Sequence, residues 1–360
     1  MVSRMVPMDA LPRGIVGATG GGDNGARGNA MIEIAVMGAG RIGRIHAGNI
    51  AAHKNARLAG IADAVPETAA SLASALGSRT LSVAEALRAD AVLICSPTPT
   101  HADYIEQAAA QGRAVFCEKP IDLSAPRVRT CLAAVCAAGT VLMVGFNRRF
   151  DPHFATLKQR LDAGEIGALE LLTIISRDPA PPPPSYVASS GGLFRDMMIH
   201  DLDMARFLLG EEPVAVTAAA SCLVDPAIGA AGDVDSAVVT LRTASGRLCQ
   251  ISNSRRATYG YDQRIEAHGA AGLLRAGNVV PTTVEVANAA GFRSDPVLPF
   301  FLERYAAAYR AELDTFVRAA SGEGPARPDG EDGLRALLLA DAAEEAARTG
   351  ATVRPAEIQI

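Results

Sequence analysis

The chain has 360 residues, of which 49% are apolar, 20% charged and 4% aromatic with no Trp, and a formal net charge of -5. That length supports two domains with a core each, the apolar content excludes a disordered polymer, and the acidic balance excludes a nucleic-acid surface, which needs a surplus of Lys and Arg. No stretch approaches the ~20 apolar residues of a bilayer span, so the expected partner is a small molecule, with neither nucleic acid nor membrane.

Residues 1–30 are Gly-rich, carry Met1, Met5 and Met8, and lack both a continuous apolar run and a twin-Arg signal. They read as a disordered extension, or as an over-extended start ahead of Met31. The six cysteines show no close C-x-x-C pair. Free thiols in a reducing compartment are expected, and the location is cytoplasmic by default.

From Met31 the pattern switches to IEIAVMGAGRIGRIH, an apolar strand followed by Gly38, Gly40 and Gly43. G-x-G-x-x-G after a strand and opening a helix is the dinucleotide fingerprint: one glycine makes the tight turn, one admits the pyrophosphate, one lets helix and strand pack. Gly38, Ala39, Gly40, Arg41, Ile42 and Gly43 are thus expected against the cofactor, whose phosphates meet the helix N-terminus. RLAGIAD ends at Asp63, twenty residues past Gly43, where a carboxylate bonds the adenosine ribose hydroxyls. No Arg follows it to balance a 2′-phosphate, so NAD is expected over NADP.

The βα alternation continues. Ser82 and Glu85 form an S-x-x-E capping box. ADAVLICS leads into a loop of Ser96, Pro97, Thr98 and His101 at a strand's carboxyl end, where a nicotinamide ribose would sit, and Thr100 is expected to cap the following helix. AVFCEKP ends a strand at Glu118 and Lys119, with Pro120 aiming Lys119 into the same cleft. VLMVGFN closes a sheet of about six strands at Asn147. The first domain is therefore read as residues 31–147, a doubly wound Rossmann fold.

After a helix over Pro152–Ala163 the pattern changes. PAPPPPS (179–185) reads as a loop or polyproline spacer. GGLFRDMMIHDLDMARFLLG (191–210) reads as one helix entry with Asp196 and His200 four residues apart on a shared face: an acid/base pair, or a polar first turn favoured by the helix dipole. A metal on His200, Asp201 and Asp203 is disfavoured, because neighbours on a helix diverge by ~100°, and no metal is assigned. The segments PVAVTAAASCLV, VDSAVVTLRT, RLCQISNSR and QRIEAHG alternate like an antiparallel sheet with one covered face. Leu302, Tyr305, Tyr309, Leu313 and Phe316 form one core-facing stripe, and an Ala-rich helix over about Gly333–Thr349 follows. Residues 148–360 are accordingly an α+β domain with a large, mostly antiparallel sheet, whose open face suits a homo-oligomer, a tetramer.

A Rossmann fingerprint, an E-K-P strand end and D-x-x-x-H-x-x-D together resemble the Gfo/Idh/MocA oxidoreductase family. GFNRRFDPHF (145–154), SRDPAPPPPSY (176–186), Gly191–Gly210 and NSRRATYGYDQRIEAHG (253–269) narrow the resemblance to its inositol-oxidising branch. The resemblance covers Met31 to about Val353. It implies Lys119, Asp196 and His200 as the catalytic set, and Asn147, Arg148, Asp178 and Tyr261, with Asp196 and His200, as contacts to a polyol substrate. In the chemistry so implied, His200 takes the hydroxyl proton, Asp196 orients the imidazole and Lys119 favours negative charge on the reacting oxygen. Asp203 fits the pattern, yet no step requires it. The competing readings are a scyllo-inositol or glucose-type sugar dehydrogenase, a non-catalytic NAD-sensing regulator on the same fold, and NAD-dependent glycoside cleavage.

Overall fold

Short apolar runs with helices between them build the first sheet in the structure, a computed structural model that describes residues 31–355; all counts are among these residues, and the expected extension over residues 1–30 lies outside them. Strands β1 (Ile32–Met37), β2 (Ala56–Ala62), β3 (Ala91–Ile94), β4 (Ala114–Glu118) and β5 (Leu142–Gly145) pair in parallel in the order β2-β1-β3-β4-β5. Helices α1 (Arg41–Ala51), α2 (Pro66–Ala75), α3 (Val83–Ala86), α4 (His101–Ala110) and α5 (Ala125–Ala138) make the crossovers. The strands are apolar on both faces because both are covered: Phe116 packs with Leu72 and Phe316 on one side, while Val115 and Cys117 pack with Ile105, Val128 and Leu337 on the other.

This sheet has five strands where about six are expected. Beside β2 a single parallel bridge joins Ile61 and Thr80, and Ser82 then caps α3, with both halves of the capping box to Glu85 formed as the sequence predicts. Strand order reverses at β1, so the crevice at the carboxyl edge opens beside the glycine loop.

The second half contains α6 (Pro152–Asp162), β6 (Leu169–Arg177), α7 (Pro184–Ser190), a π-helical turn (Leu193–Met198), α8 (Ile199–Leu209), β7 (Pro213–Ser221), α9 (Pro226–Ala230), β8 (Ser236–Thr243), β9 (Leu248–Ser254), β10 (Asp262–Gly269), β11 (Gly272–Ala276), the hairpin β12 (Glu285–Asn288) and β13 (Gly291–Ser294), α10 (Phe301–Arg304), α11 (Ala306–Ala320) and α12 (Gly330–Thr349). A six-stranded sheet runs β11-β10-β6-β9-β8-β7. It is antiparallel except for the central pair β6 and β9. Alternate residues of β8 are buried, as one covered face requires. On the open face Leu248, Leu171, His268 and Leu273 align across four strands, with Leu248, Leu171 and Leu273 exposed.

The proline run is non-helical through Pro183, as its spacer reading expects, and only its last two residues enter α7, from Pro184, because a helix's first turn needs no N–H from proline. Helix α9 and strands β11 to β13 lie between and beyond the four alternating segments. Among the described residues no helix is long and apolar enough to cross a membrane.

The two halves of the described chain are tied by a buried ion network that settles Asp203. Arg149, just after β5, donates from Nε to Asp203 Oδ2 at 2.8 Å and from Nη2 to Asp332 Oδ1 at 3.0 Å. Arg206 of α8 donates to the same Asp332 oxygen at 3.2 Å. Asp203 is 1% exposed, so it serves packing between α8, α12 and the β5 end. Removing one partner of such a pair strands the other charge, and Asp203→Ala is expected to lose about 3–5 kcal/mol of stability. Urea denaturation read by circular dichroism checks this, and an unchanged midpoint would refute it.

Candidate active site

The glycine loop owes its shape to crowding. A Cβ on Gly38, whose φ is +106°, would stand 2.5 Å from the Cys95 carbonyl, and one on Gly43 would stand 1.9 Å from the Gly38 oxygen. At Gly40, by contrast, a Cβ would project into open space. Helix α1 starts there with no side-chain cap and no acidic residue in its first turn, which leaves its N–H groups free for an anion. Asp63 ends the neighbouring strand and accepts from the backbone N–H of Ala39 at 2.6 Å and of Val65 at 2.8 Å. These features fit a dinucleotide: open backbone for the pyrophosphate, and a carboxylate fixed beside the loop for a ribose.

Along the same edge, Ser96 Oγ and Thr100 Oγ1 lie 2.6 Å apart. Thr100 bonds there and to the Pro97 carbonyl, so its side chain does not cap α4 as expected. His101 is turned inward: its ring nitrogens lie 2.8 Å from the Pro120 carbonyl and 2.7 Å from the Ser96 carbonyl, clamping the two loops together. Burial holds its pKa below the ordinary value despite those carbonyls. Pro97 is exposed and Thr98 half-buried. Glu118 is taken by His46, 2.8 Å from its Nε2. Arg41 crosses from the loop to the Phe300 ring, 5.6 Å from its centroid, and Ile42 packs onto the core of the second half.

Lys119 enters the cleft from the β4 end. Its Nζ donates to the Asp196 carbonyl at 2.6 Å and to Asp196 Oδ1 at 3.3 Å. Asp196 sits in the π turn, which a sequence of adjacent glycines makes possible. Gly191 and Gly192 both have positive φ, +89° and +79°, and a Cβ on Gly192 would strike the Asp233 carboxylate. That carboxylate instead caps the turn by accepting from the Leu193 N–H at 3.1 Å. A π turn widens the helix by one residue per closure, and the expected α-helical pairing of Asp196 with His200 is not made. Asp196 Oδ1 accepts from Tyr186 Oη at 2.9 Å, and its Oδ2 stands 3.5 Å from Arg255 Nη2.

His200, at the start of α8, packs edge-on against Phe146. Its Nδ1 is buried without a hydrogen-bond partner among the described residues. Burial, with the Lys119 and Arg148 cations beside it, holds the imidazole well below its ordinary pKa and therefore neutral. Asp178 leaves the end of β6, and burial pushes it up to about 6 against the pull of Arg255.

The remaining expected residues divide. Arg148 is 5% exposed and pairs with Asp201, which also accepts from Asn253 Nδ2 at 3.0 Å. Tyr261 is buried, 6.0 Å from the Tyr305 ring and 6.2 Å from Phe300, and Asn147 opens the buried turn after β5. Tyr186 and Arg255 escaped sequence reasoning. Each lies in a quoted stretch, at the end of the proline run and in NSRRA, but nothing in their spacing marks them.

The oxidoreductase-family model with an NAD-binding Rossmann fold matches residues 32–146, and the GFO/IDH/MocA C-terminal domain model matches residues 154–275. The chain is 54% identical over 315 residues to the inositol 2-dehydrogenase of Rhizobium meliloti, covering 87% of this chain and 96% of that protein. It superposes on the crystal structure of a myo-inositol dehydrogenase from Corynebacterium glutamicum with a TM-score of 0.87 and 47% identity, over 91% of this chain and 100% of the other. A scyllo-inositol dehydrogenase from Lactobacillus casei, solved with NAD(H) and scyllo-inositol bound, superposes with a TM-score of 0.84 and 31% identity over 91% of this chain and 100% of the other. With family models matched in both halves and a relative 54% identical over 87% of its length, the chain belongs to the Gfo/Idh/MocA family of NAD-binding oxidoreductases.

Proposed function

We propose that the protein oxidises myo-inositol to 2-keto-myo-inositol (scyllo-inosose) with NAD, and that Lys119, Asp196 and His200 are its catalytic residues. The observation that carries this reading is the meeting of a neutral His200, the Lys119 ammonium and the Asp196 carboxylate at the carboxyl edge beside the glycine loop. Similarity to the R. meliloti inositol 2-dehydrogenase supports the choice of substrate.

NAD, when bound, supplies the hydride acceptor. The chain's own residues do the rest. His200, neutral at working pH, takes the proton of one ring hydroxyl as general base. Lys119 donates to that oxygen and offsets its growing negative charge in a site where water is sparse. Asp196 acts on Lys119, Tyr186 and Arg255 here, so its part is to anchor the ammonium. The orienting role on His200 expected from sequence is not supported by its hydrogen bonds. Asp178 and Tyr261 accept from or pack against further ring hydroxyls, with Asn147; Arg148 acts from behind through its charge. Gly38 to Gly43, Asp63, Ser96, Pro97, Thr98, His101 and Glu118 shape the cofactor side of the cleft.

We also infer a division into domains near Asn147, a cytoplasmic location, which the six free cysteines suit, and a homotetramer. The exposed row of Leu248, Leu171 and Leu273 is the supporting observation for assembly, and a monomeric mass by light scattering at micromolar protein would contradict it.

A panel of inositols and sugars with NAD or NADP, read at the reduced-nicotinamide absorbance, tests the activity. The expected outcome is oxidation of myo-inositol with NAD preferred at least about tenfold, since Asp63 would repel a 2′-phosphate. His200→Ala is expected to lose about 10²- to 10⁴-fold in kcat. Preference for scyllo-inositol or a glucose-type sugar would move the assignment to those substrates, and oxidation of no polyol would favour a regulator.

The pH dependence follows from Asp178. Burial pushes its carboxyl up to about 6, whereas burial and two neighbouring cations push His200 the other way, well below its ordinary value. An ionised Asp178 accepts from substrate hydroxyls, and its protonated form loses acceptor capacity. The expected kcat/KM therefore falls as pH drops through about 6, and Asp178→Asn removes that limb. A limb retained unchanged in the variant would exclude Asp178 as its source.

A further inference from the structure

Arg255 is among the largest fully buried side chains, 2% exposed, and its Nε and Nη2 have no hydrogen-bond partner among the described residues. Burying a guanidinium with idle donors is costly unless something uses them. Its position is set by the one parallel pairing of the second sheet. Arg177 of β6 lies opposite Ser254 of β9, and the Asp178 N–H donates to the Ser254 carbonyl at 3.0 Å. Asp178 and Arg255 thus leave the sheet side by side, into the cleft that holds Asp196.

The Asp196 carboxylate is held unevenly. Tyr186 at 2.9 Å and Lys119 at 3.3 Å both use Oδ1. Among the described residues Oδ2 faces only Arg255 Nη2, at 3.5 Å, slightly too long for a strong bond. When negative charge grows on the reacting oxygen, Lys119 is drawn to it and its hold on Asp196 weakens. A largely buried carboxylate losing its cation raises the energy of that state.

We propose that Arg255 is a positioning residue that closes onto Asp196 Oδ2 as Lys119 turns to the substrate oxygen, so that the carboxylate keeps a cationic partner through turnover. This rests on the dehydrogenase reading of the site. The movement needed is short, from 3.5 Å to the ~2.8 Å of a charge-assisted bond, and both idle donors point at a use for it.

Three variants of the full chain test this: Arg255→Met, Arg255→Lys and Arg255→Gly. Arg255→Met keeps bulk without charge, and it is expected to lower kcat about 10- to 100-fold with KM changed by less than about threefold. Arg255→Lys should recover most of the loss, and millimolar guanidinium, but not urea, should restore Arg255→Gly. A second readout needs no substrate: acetylation of Lys119 by acetic anhydride, followed by peptide mass spectrometry, should slow at least about threefold in Arg255→Met, because Asp196 then leans on Lys119. Unchanged labelling, or a kcat within about twofold of the parent in a folded variant, overturns the proposal. If Arg255→Met does not fold, the guanidinium dependence of Lys119 labelling in Arg255→Gly decides in the same way. If the parent chain oxidises no polyol, the inositol reading fails by itself, and the labelling still decides on Arg255.

Discussion

The contact between Lys119 and Asp196 is the constraint to which the rest of the site is arranged. Nζ reaches both the main-chain carbonyl and the carboxylate of one residue, joining the carboxyl edge of a parallel sheet to a π turn in the other half of the chain. Two features make the contact possible. Pro120 ends β4 so that Lys119 faces the cleft, and Gly191 and Gly192 let the chain enter the π turn at the depth that brings the Asp196 carbonyl to the ammonium. Both main-chain and side-chain oxygens point at one cation, so the lysine is held at the cleft before any substrate arrives.

Around that contact the charges are sorted by direction. Asp196, Asp201 and Asp203 lie within eight residues, yet they face three different partners because the helix rotates by ~100° per residue. Asp201 meets Arg148 and Asp203 meets Arg149. Those two arginines are thereby paired behind α8, while Arg148 remains close enough to help keep His200 neutral. What faces the cleft is the Lys119 ammonium, the Asp196 carboxylate it shares with Tyr186 and Arg255, a second carboxyl at the end of β6 and an uncharged imidazole. That set suits removal of a proton from a neutral polyol, since the base is uncharged and a cation stands ready for the reacting oxygen.

The same sorting explains the cofactor side. His101 and Glu118, residues with obvious chemistry, are spent inside the protein on two carbonyls and on His46. The surface left for a dinucleotide is largely main chain, the open side of Gly40 and the first turn of α1, with the Asp63 carboxylate beside it. Backbone amides bind phosphate with no side-chain entropy to lose, so a loop made of small residues is the stable solution.

Much of this was legible from residue order alone, wherever the determining interaction is local. Strand periodicity, the glycine spacing, the Ser82 box and the position of Asp63 each depend on residues a few positions apart, and the alternating strands of the second half follow from one covered face. The local rules erred where a distant residue intervened: Asp233 with two glycines turned an expected α-helical pair into a π turn. Residue order is enough to specify the Rossmann half, the α+β half and Lys119, Asp196 and His200 as chemical groups. Which of them touch depends on packing across the fold. The partners of Asp196 come from residues 119, 186 and 255, and Asp203 owes its purpose to Arg149 and the Asp332 they share. Such contacts are set by how sheets and helices pack across long separations, and no spacing along the chain records that.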